Sequence, residues 1–115
     1  MAPVKEQLEL GIEYKSVGKY EEAIVEITAV IALDPMCAEA HRQLGLVYGY
    51  IGMLDEAIQE LSEAIIIDQS NISARNDLAL TYSMLGMLDE AKSQFQEVLI
   101  IDPENQVAKR NIQLF

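Results

Sequence analysis

The sequence predicts an all-α protein, a solenoid of three antiparallel helix hairpins followed by a capping helix. Two observations carry this prediction. The chain repeats itself every 34 residues, and "GMLDEA" stands at residues 52–57 and again at residues 86–91. Within a copy the apolar residues follow helical spacing, as Leu44, Val47, Tyr48 and Ile51 do. A fixed period of this length indicates stacked helical units, each burying its apolar face against the next.

Three copies of the repeat account for most of the chain. Residues 38–71 and 72–105 are identical at 15 of 34 positions, where about two identities are expected from average residue usage. Residues 4–37 are a more diverged first copy, and residues 106–115 begin a fourth, which we expect to be the capping helix. We therefore predict a single domain over residues 1–115.

Each copy is predicted to be a helix hairpin with defined ends. Gly52 lacks a Cβ and can take the left-handed conformation that closes the first helix of its copy. Asp-Pro at residues 34–35 and 102–103 closes the second helix, because proline disfavours helical geometry at the preceding residue. Small residues recur where the two helices should approach closely: Gly11, Gly45 and Ala79. Larger ones should fill the space between hairpins: Ile27, Leu61 and Phe95.

These motifs resemble the tetratricopeptide repeat. The resemblance covers residues 4–105 and is carried by "LGLVY" at Leu44–Tyr48, by "GMLDEA", and by the closing Asp-Pro. It implies a right-handed α-solenoid whose first helices line a concave, peptide-binding face. Departures from the family pattern include two that bear on the packing of the helices. Gln69 replaces the closing proline of the second copy, so we expect a looser turn there. The bulky residue usual on the first helix is replaced in turn by Gln7, His41 and Arg75.

The helical period and the family geometry together predict which side chains line the concave groove. The candidates include one position that is apolar in every copy. They are Leu8, Ile12, Arg42, Gln43, Leu46, Tyr50, Asn76, Asp77, Leu80, Met84, Arg110 and Leu114. An exposed apolar floor of this kind usually marks an interaction site, and an amphipathic helix or an extended apolar peptide would fit it. The alternative is that these side chains pack between neighbouring first helices.

A carboxylate clamp is the best-understood binding mode of the resembled family. Lysine and arginine side chains with two asparagines there grip the acidic C-terminal tails of cytosolic heat-shock chaperones. The corresponding positions in this chain are Leu8, Ile12, Gln43, Ser73 and Asp77. None is a cation, and Asp77 would repel a carboxylate. We therefore predict that such tails do not bind.

Composition excludes several other classes of partner. Asp and Glu number 19 against 8 Lys and Arg, a net charge of −11, which argues against nucleic acid and anionic membrane surfaces. No apolar run approaches the ~20 residues of a membrane span, so we expect no membrane insertion. The one cysteine, Cys37, fits a reducing compartment, and we predict a cytoplasmic protein.

The sequence contains no pattern typical of an enzyme. There is no phosphate loop, nucleotide fingerprint or Cys/His metal spacing, so we expect no cofactor and no metal. His41 is the only histidine and is expected to pack at the hairpin interface. We predict a non-enzymatic protein-interaction module, an adaptor or scaffold in a cytosolic assembly. Two alternatives stay open: a small acidic chaperone that holds an apolar client, and a homo-oligomer. Four apolar residues could line a dimer edge: Met53, Met87, Ile66 and Ile100.

Overall fold

The computed structural model describes residues 3–115, which contain seven α-helices and no strand. The helices are α1 (Val4–Ser16), α2 (Tyr20–Leu33), α3 (Ala38–Tyr50), α4 (Leu54–Ile67), α5 (Ile72–Met84), α6 (Leu88–Ile101) and α7 (Gln106–Ile112). Each helix packs on the next in the chain, and α3 also touches α1 and α5. The result is an elongated stack of 46 × 25 × 20 Å. The predicted all-α class is confirmed.

A left-handed glycine turns the chain inside each hairpin. Gly18, Gly52 and Gly86 have φ values of 79°, 81° and 75°, which only glycine adopts at little cost. The next backbone N–H then donates back to the first helix. Met53, for example, donates to the carbonyl of Tyr48 at 2.8 Å. The prediction for Gly52 is therefore confirmed, and the same turn recurs in the other two hairpins.

The turn at Gln69 has the same geometry as the two turns that contain proline. The preceding residues Asp34, Asp68 and Asp102 have φ of −140°, −134° and −138°. The expectation of a looser turn is therefore wrong. Side chains replace the proline ring as the constraint. Asp68 Oδ1 accepts hydrogen bonds from the N–H and the hydroxyl of Ser70, and Arg75 Nε donates to the Gln69 carbonyl at 2.9 Å.

Small residues allow close contact between paired helices, as predicted. A Cβ on Gly11 would lie 2.6 Å from Cγ1 of Ile27, and one on Gly45 would lie 2.8 Å from Cγ of Leu61. Ile27, Leu61 and Phe95 are all fully buried. Each such aliphatic or aromatic side chain contributes about 1.5–3 kcal/mol through burial. The glycines therefore set the distance at which the large side chains of α2 and α4 fit.

Hydrogen bonds take the place of the bulky residue on each first helix. Gln7 donates to Glu26 at 3.2 Å, His41 Nδ1 lies 3.1 Å from Glu60, and Arg75 donates to Gln94 at 3.0 Å. The three acceptors are themselves 34 residues apart. The second ring nitrogen of His41 lies 2.9 Å from the Pro35 carbonyl. His41 is buried at the hairpin interface, as expected.

The capping helix is shorter than predicted. The expected helix covered residues 106–115, but α7 ends at Ile112. Beyond it Leu114 and Phe115 bond to carbonyls three residues back, which is the tighter 3₁₀ pattern. The Phe115 ring then packs on the buried ring of Phe95, with centroids 6.2 Å apart. The residues after α7 therefore contact α6 through Phe115.

The four residues suggested for a dimer edge do not lie together. Met53 is the residue before α4, whereas Ile66 is in the last turn of that helix. Thirteen residues of helix separate them by about 20 Å. Met87 and Ile100 are related in the same way on α6. The four residues therefore form two pairs, one at each end of α4 and α6, and an edge that included all four would have to extend along both helices.

Candidate peptide groove

A pocket of about 360 Å³ opens between the first helices of the second and third hairpins. It is lined by Gly45, Leu46, Gly49 and Tyr50 of α3, by Leu61 of α4, and by Asp77, Leu80, Thr81 and Met84 of α5. Five of these were predicted from sequence as groove residues: Leu46, Tyr50, Asp77, Leu80 and Met84. The structure brings these five together because positions 34 apart face the same side of adjacent hairpins.

The pocket wall is largely apolar and open to solvent. Tyr50 is 59% exposed and Met84 is 62% exposed, while Leu46 is half-buried below them. The Tyr50 ring also packs on Tyr20 of α2, with centroids 5.8 Å apart, so it is held although it is exposed. Covering such apolar surface is favourable by roughly 25 cal/mol per Å². An apolar ligand side chain would therefore gain free energy by entering here.

Gly49 creates much of the space and was missed by the sequence analysis. A Cβ at this position would have no neighbouring atom within 4 Å. The corresponding residues of the other hairpins are Lys15 and Ser83, so only the second hairpin leaves the position empty. Glycine inside a helix costs stability. A glycine inside a predicted helix, where the other two copies carry a side chain, is the sequence signal that could have identified this residue.

A ladder of polar contacts crosses the first helices beside the pocket. Lys15 of α1 donates to Gln43 of α3, and Gln43 donates to Glu39 at 2.7 Å. Arg42 donates to Glu39 at 3.1 Å and, across to α5, to Oδ2 of Asp77 at 2.7 Å. Two cations and two carboxylates thus compensate one another. Arg42 was predicted as a groove residue, but it is held between two carboxylates.

Burial affects the two ends of the Arg42–Asp77 pair differently. Burial raises the pKa of the Asp77 carboxyl above its ordinary value, and the nearby Arg42 offsets this only in part. Burial alone would lower the pKa of Arg42, but Asp77 and Glu39 outweigh it and raise that pKa. Arg42 has two carboxylate neighbours, whereas Asp77 has the cations Arg42 and Lys15 and the like charge of Glu39. Burial is the largest influence on the pKa of Asp77, ahead of these charged neighbours.

The other predicted groove residues lie outside the pocket. Gln43 and Asn76 are buried, and Asn76 donates to the Asn105 side chain at 3.1 Å. Leu8 packs against the core formed by the first two hairpins. Ile12 is half-buried on α1. Gln43 and Asn76 are thus engaged in contacts within the stack, and none of the four lines the pocket.

The two predicted groove residues at the C-terminal end, Arg110 and Leu114, also lie outside the pocket. Arg110 is exposed in the last turn of α7. Leu114 lies beyond the end of α7 and is 80% exposed. The predicted apolar floor of Ile12, Leu46, Leu80 and Leu114 therefore forms a pocket only at its centre, between α3 and α5.

The described residues offer neither a membrane-spanning helix nor a metal-binding cluster. No helix within residues 3–115 is long and apolar enough to cross a membrane. The same residues contain no group of three or more His, Cys, Asp or Glu side chains placed to hold a metal ion.

Hairpins that stack through small residues and leave a groove along their first helices define a helical-repeat protein. Residues 11–52 match a family described as "TPR repeat", and residues 52–111 match one described as "Tetratricopeptide repeat". The chain belongs to the tetratricopeptide repeat family. No curated protein matches the sequence.

Solved structures of the same family are similar over nearly the whole chain. The second TPR domain of human RPAP3, in complex with the HSP70 peptide SGPTIEEVD, is 29% identical; 97% of each chain is covered, with a TM-score of 0.88. MamA is 30% identical over 96% of this chain and 65% of its own, with a TM-score of 0.91. The first TPR of Spaghetti (RPAP3), bound to the HSP90 peptide SRMEEVD, shares 24% identity over 96% of this chain and 88% of its own. Its TM-score is 0.92, and at that identity the likeness shows the fold alone.

Proposed function

We propose that this protein is a non-enzymatic protein-interaction module that binds a peptide or helix in the groove between α3 and α5. Its role would be that of an adaptor in a cytosolic assembly. The observation that carries the proposal is the pocket itself, where large apolar side chains stay exposed around a vacant glycine position. Exposed apolar patches of this kind mark interaction sites. The RPAP3 domains bound to chaperone peptides support a peptide-binding role.

We further propose that the acidic tails bound by those relatives are not ligands here. The five clamp positions carry no cation, and one of them is Asp77. Arg42, the nearest guanidinium, already donates to Asp77 and Glu39. A carboxylate would have to displace one of these partners and then lie beside Asp77. Like charges this close disfavour binding.

A variant that fills the pocket tests the proposed site. Gly49→Leu places a side chain in the open space without disturbing a packed contact. The control is Thr28→Leu, the same new residue on the exposed side of α2. Both proteins would be used to select from a display library of random peptides. We expect wild type and Thr28→Leu to enrich related apolar peptides and Gly49→Leu to lose them. Equal enrichment by all three would show that the pocket is not the site.

Self-association is a second candidate, favoured by one observation. Ile66 and Ile100 are 67% and 73% exposed and occupy the same position on α4 and α6. Two isoleucines presented side by side could pair with a second copy of the chain. Light scattering across a range of concentrations would test this. A mass that rises with concentration in wild type but not in an Ile66→Lys, Ile100→Lys variant would support it, and a constant monomer mass would exclude it.

A further inference from the structure

The polar groups of the pocket mainly accept hydrogen bonds. The Thr81 hydroxyl donates to the Asp77 carbonyl at 2.8 Å, so towards a ligand its oxygen can only accept. Asp77 presents a carboxylate, of which Oδ2 accepts from Arg42. Its other oxygen, Oδ1, accepts no hydrogen bond from the described residues and can therefore accept one from a ligand. The third group, the Tyr50 hydroxyl, can donate or accept. A ligand that matches this pocket must therefore bring a donor.

The charge around the pocket favours a donor that is also a cation. The chain carries a net charge of −11. The two cations beside the pocket are already engaged, Arg42 by Asp77 and Glu39, and Lys15 by Gln43. Burial raises the pKa of Asp77 despite Arg42 and the more distant charge of Lys15, so these cations do not fully offset the cost of burying that carboxylate. A further positive charge in direct contact with Asp77 would offset more of it.

We propose that the ligand of this groove is a peptide that carries a lysine or arginine next to an apolar anchor residue. The anchor enters the space at Gly49, between Leu46 and Leu80, and the cation meets Oδ1 of Asp77. This inference rests on the proposed function and adds the chemical class of the peptide. It makes Asp77 the residue that determines specificity.

Peptide selection followed by a paired measurement tests the inference. The probe is the most enriched peptide from the random library, synthesised with lysine and with uncharged norleucine at the position beside its apolar anchor. Affinities would be measured by fluorescence anisotropy. We expect wild type to prefer the lysine peptide by about tenfold or more, as suits a hydrogen bond to a charged group. Asp77→Asn, close in shape, should lose that preference and still bind the norleucine peptide.

Two control variants separate a contact at Asp77 from general attraction by an acidic protein. Glu97→Gln removes one negative charge from the exposed side of α6 and should leave the lysine preference intact. Arg42→Gln removes the competing guanidinium and should increase the preference. That second variant also carries the test if Asp77→Asn does not fold, which circular dichroism would reveal.

The outcomes are distinct. A lysine preference that Asp77→Asn abolishes and Glu97→Gln keeps supports the inference. If Asp77→Asn and Glu97→Gln reduce the lysine preference equally, the inference is overturned. It is also overturned if Arg42→Gln does not increase the lysine preference. Enrichment of apolar peptides without basic residues overturns it while leaving the proposed groove intact. If wild type enriches no peptide, the proposed function fails and this inference fails with it.

Discussion

Two glycines four residues apart in α3 are required for different reasons. Gly45 faces Leu61, and a Cβ there would lie only 2.8 Å from that side chain. Gly49 faces open space, with no atom within 4 Å of its missing Cβ. Packing explains the first glycine and does not explain the second. Because both glycines carry the same cost to the helix, Gly49 is explained by the pocket that it leaves open.

Alanine at these two positions should therefore change stability in opposite directions. Gly45→Ala overpacks the hairpin interface and should lower the free energy of unfolding by about 1–3 kcal/mol. Gly49→Ala should raise it by about 0.5–1 kcal/mol, because alanine is the better helix former and meets no neighbour. Urea unfolding followed by circular dichroism would measure both. A destabilised Gly49→Ala variant would contradict the assignment of that position to the pocket.

The raised pKa of Asp77 predicts a specific dependence of stability on pH. Between the ordinary aspartate value of 3.8 and its raised value here, the folded chain binds more protons than the unfolded chain. The contribution of Asp77 to the free energy of unfolding therefore falls as the pH rises through that window. Asp77→Asn should remove this loss. Its unfolding free energy should gain on that of wild type as the pH rises above the ordinary aspartate value of 3.8.

Urea titrations of both proteins at several pH values would check the sign. Because the other carboxyl groups are shared, the difference between the two curves isolates Asp77. A difference that shrinks with rising pH would mean that Arg42 more than offsets the burial of this carboxylate.

Single residues show where sequence reasoning reaches its limit. Leu46, Leu80 and Met84 could be assigned to one face, because a fixed period and a fixed helical repeat determine direction. The pairing of Arg42 with Asp77 could not be assigned in this way. It joins residues 35 apart through side-chain rotamers, which no period encodes. Side-chain contacts of the same kind involve Gln43 and Asn76, two predicted groove residues that are buried and bond to Lys15 and Asn105.

Helices and turns were more predictable from the sequence than side-chain contacts. The turn at Gln69 and the end of α7 are the two exceptions. The hairpin turns follow from glycine, and the closing turns follow from aspartate before proline. At Gln69 the missing proline suggested a loose turn, because the hydrogen bonds of Ser70 and Arg75 that hold it are not visible in a repeat pattern. At the C-terminal end α7 stops at Ile112, and the Phe115 ring beyond it packs on Phe95. Both departures are accompanied by side-chain contacts that a repeat pattern does not show, and both leave the helical pattern itself correct.

Proline at position 69 should be compatible with this turn. Asp68 already has φ −134° and ψ 93°, close to the extended geometry required before proline. Within the described chain the Gln69 N–H makes no backbone hydrogen bond that proline would remove. Gln69→Pro should therefore raise the free energy of unfolding by about 0.4–1 kcal/mol, by restricting the unfolded chain. The thermal midpoint should rise accordingly, and a lower one would show that the Gln69 backbone differs from that of Pro35.

The stack as a whole places the pocket at its centre. Each hairpin packs on its neighbours along the chain, so the groove between α3 and α5 is flanked by α1 on one side and α7 on the other. Stability in such stacks is approximately a sum of units and nearest-neighbour interfaces. The two hairpins that form the pocket are the ones supported on both sides. This arrangement suits a site that must hold its shape before a ligand arrives.

The net charge of the molecule should act on the rate of binding more than on its lifetime. A charge of −11 on a body 46 Å long attracts a cationic peptide before contact. The range of that attraction falls from about 30 Å at 0.01 M salt to about 3 Å at 1 M. For the lysine peptide we expect the association rate to fall about tenfold between these limits, with a much smaller change in the dissociation rate.

The Asp77→Asn substitution should instead raise the dissociation rate and change the association rate little. It removes only one of the charges that attract the peptide at a distance, but it removes the direct contact with the peptide's lysine. Stopped-flow fluorescence would measure the two rates separately. The norleucine peptide is the control, because its rates should depend less on salt. If salt acted chiefly on dissociation, the attraction would lie in the contact at Asp77 and not in the molecule as a whole.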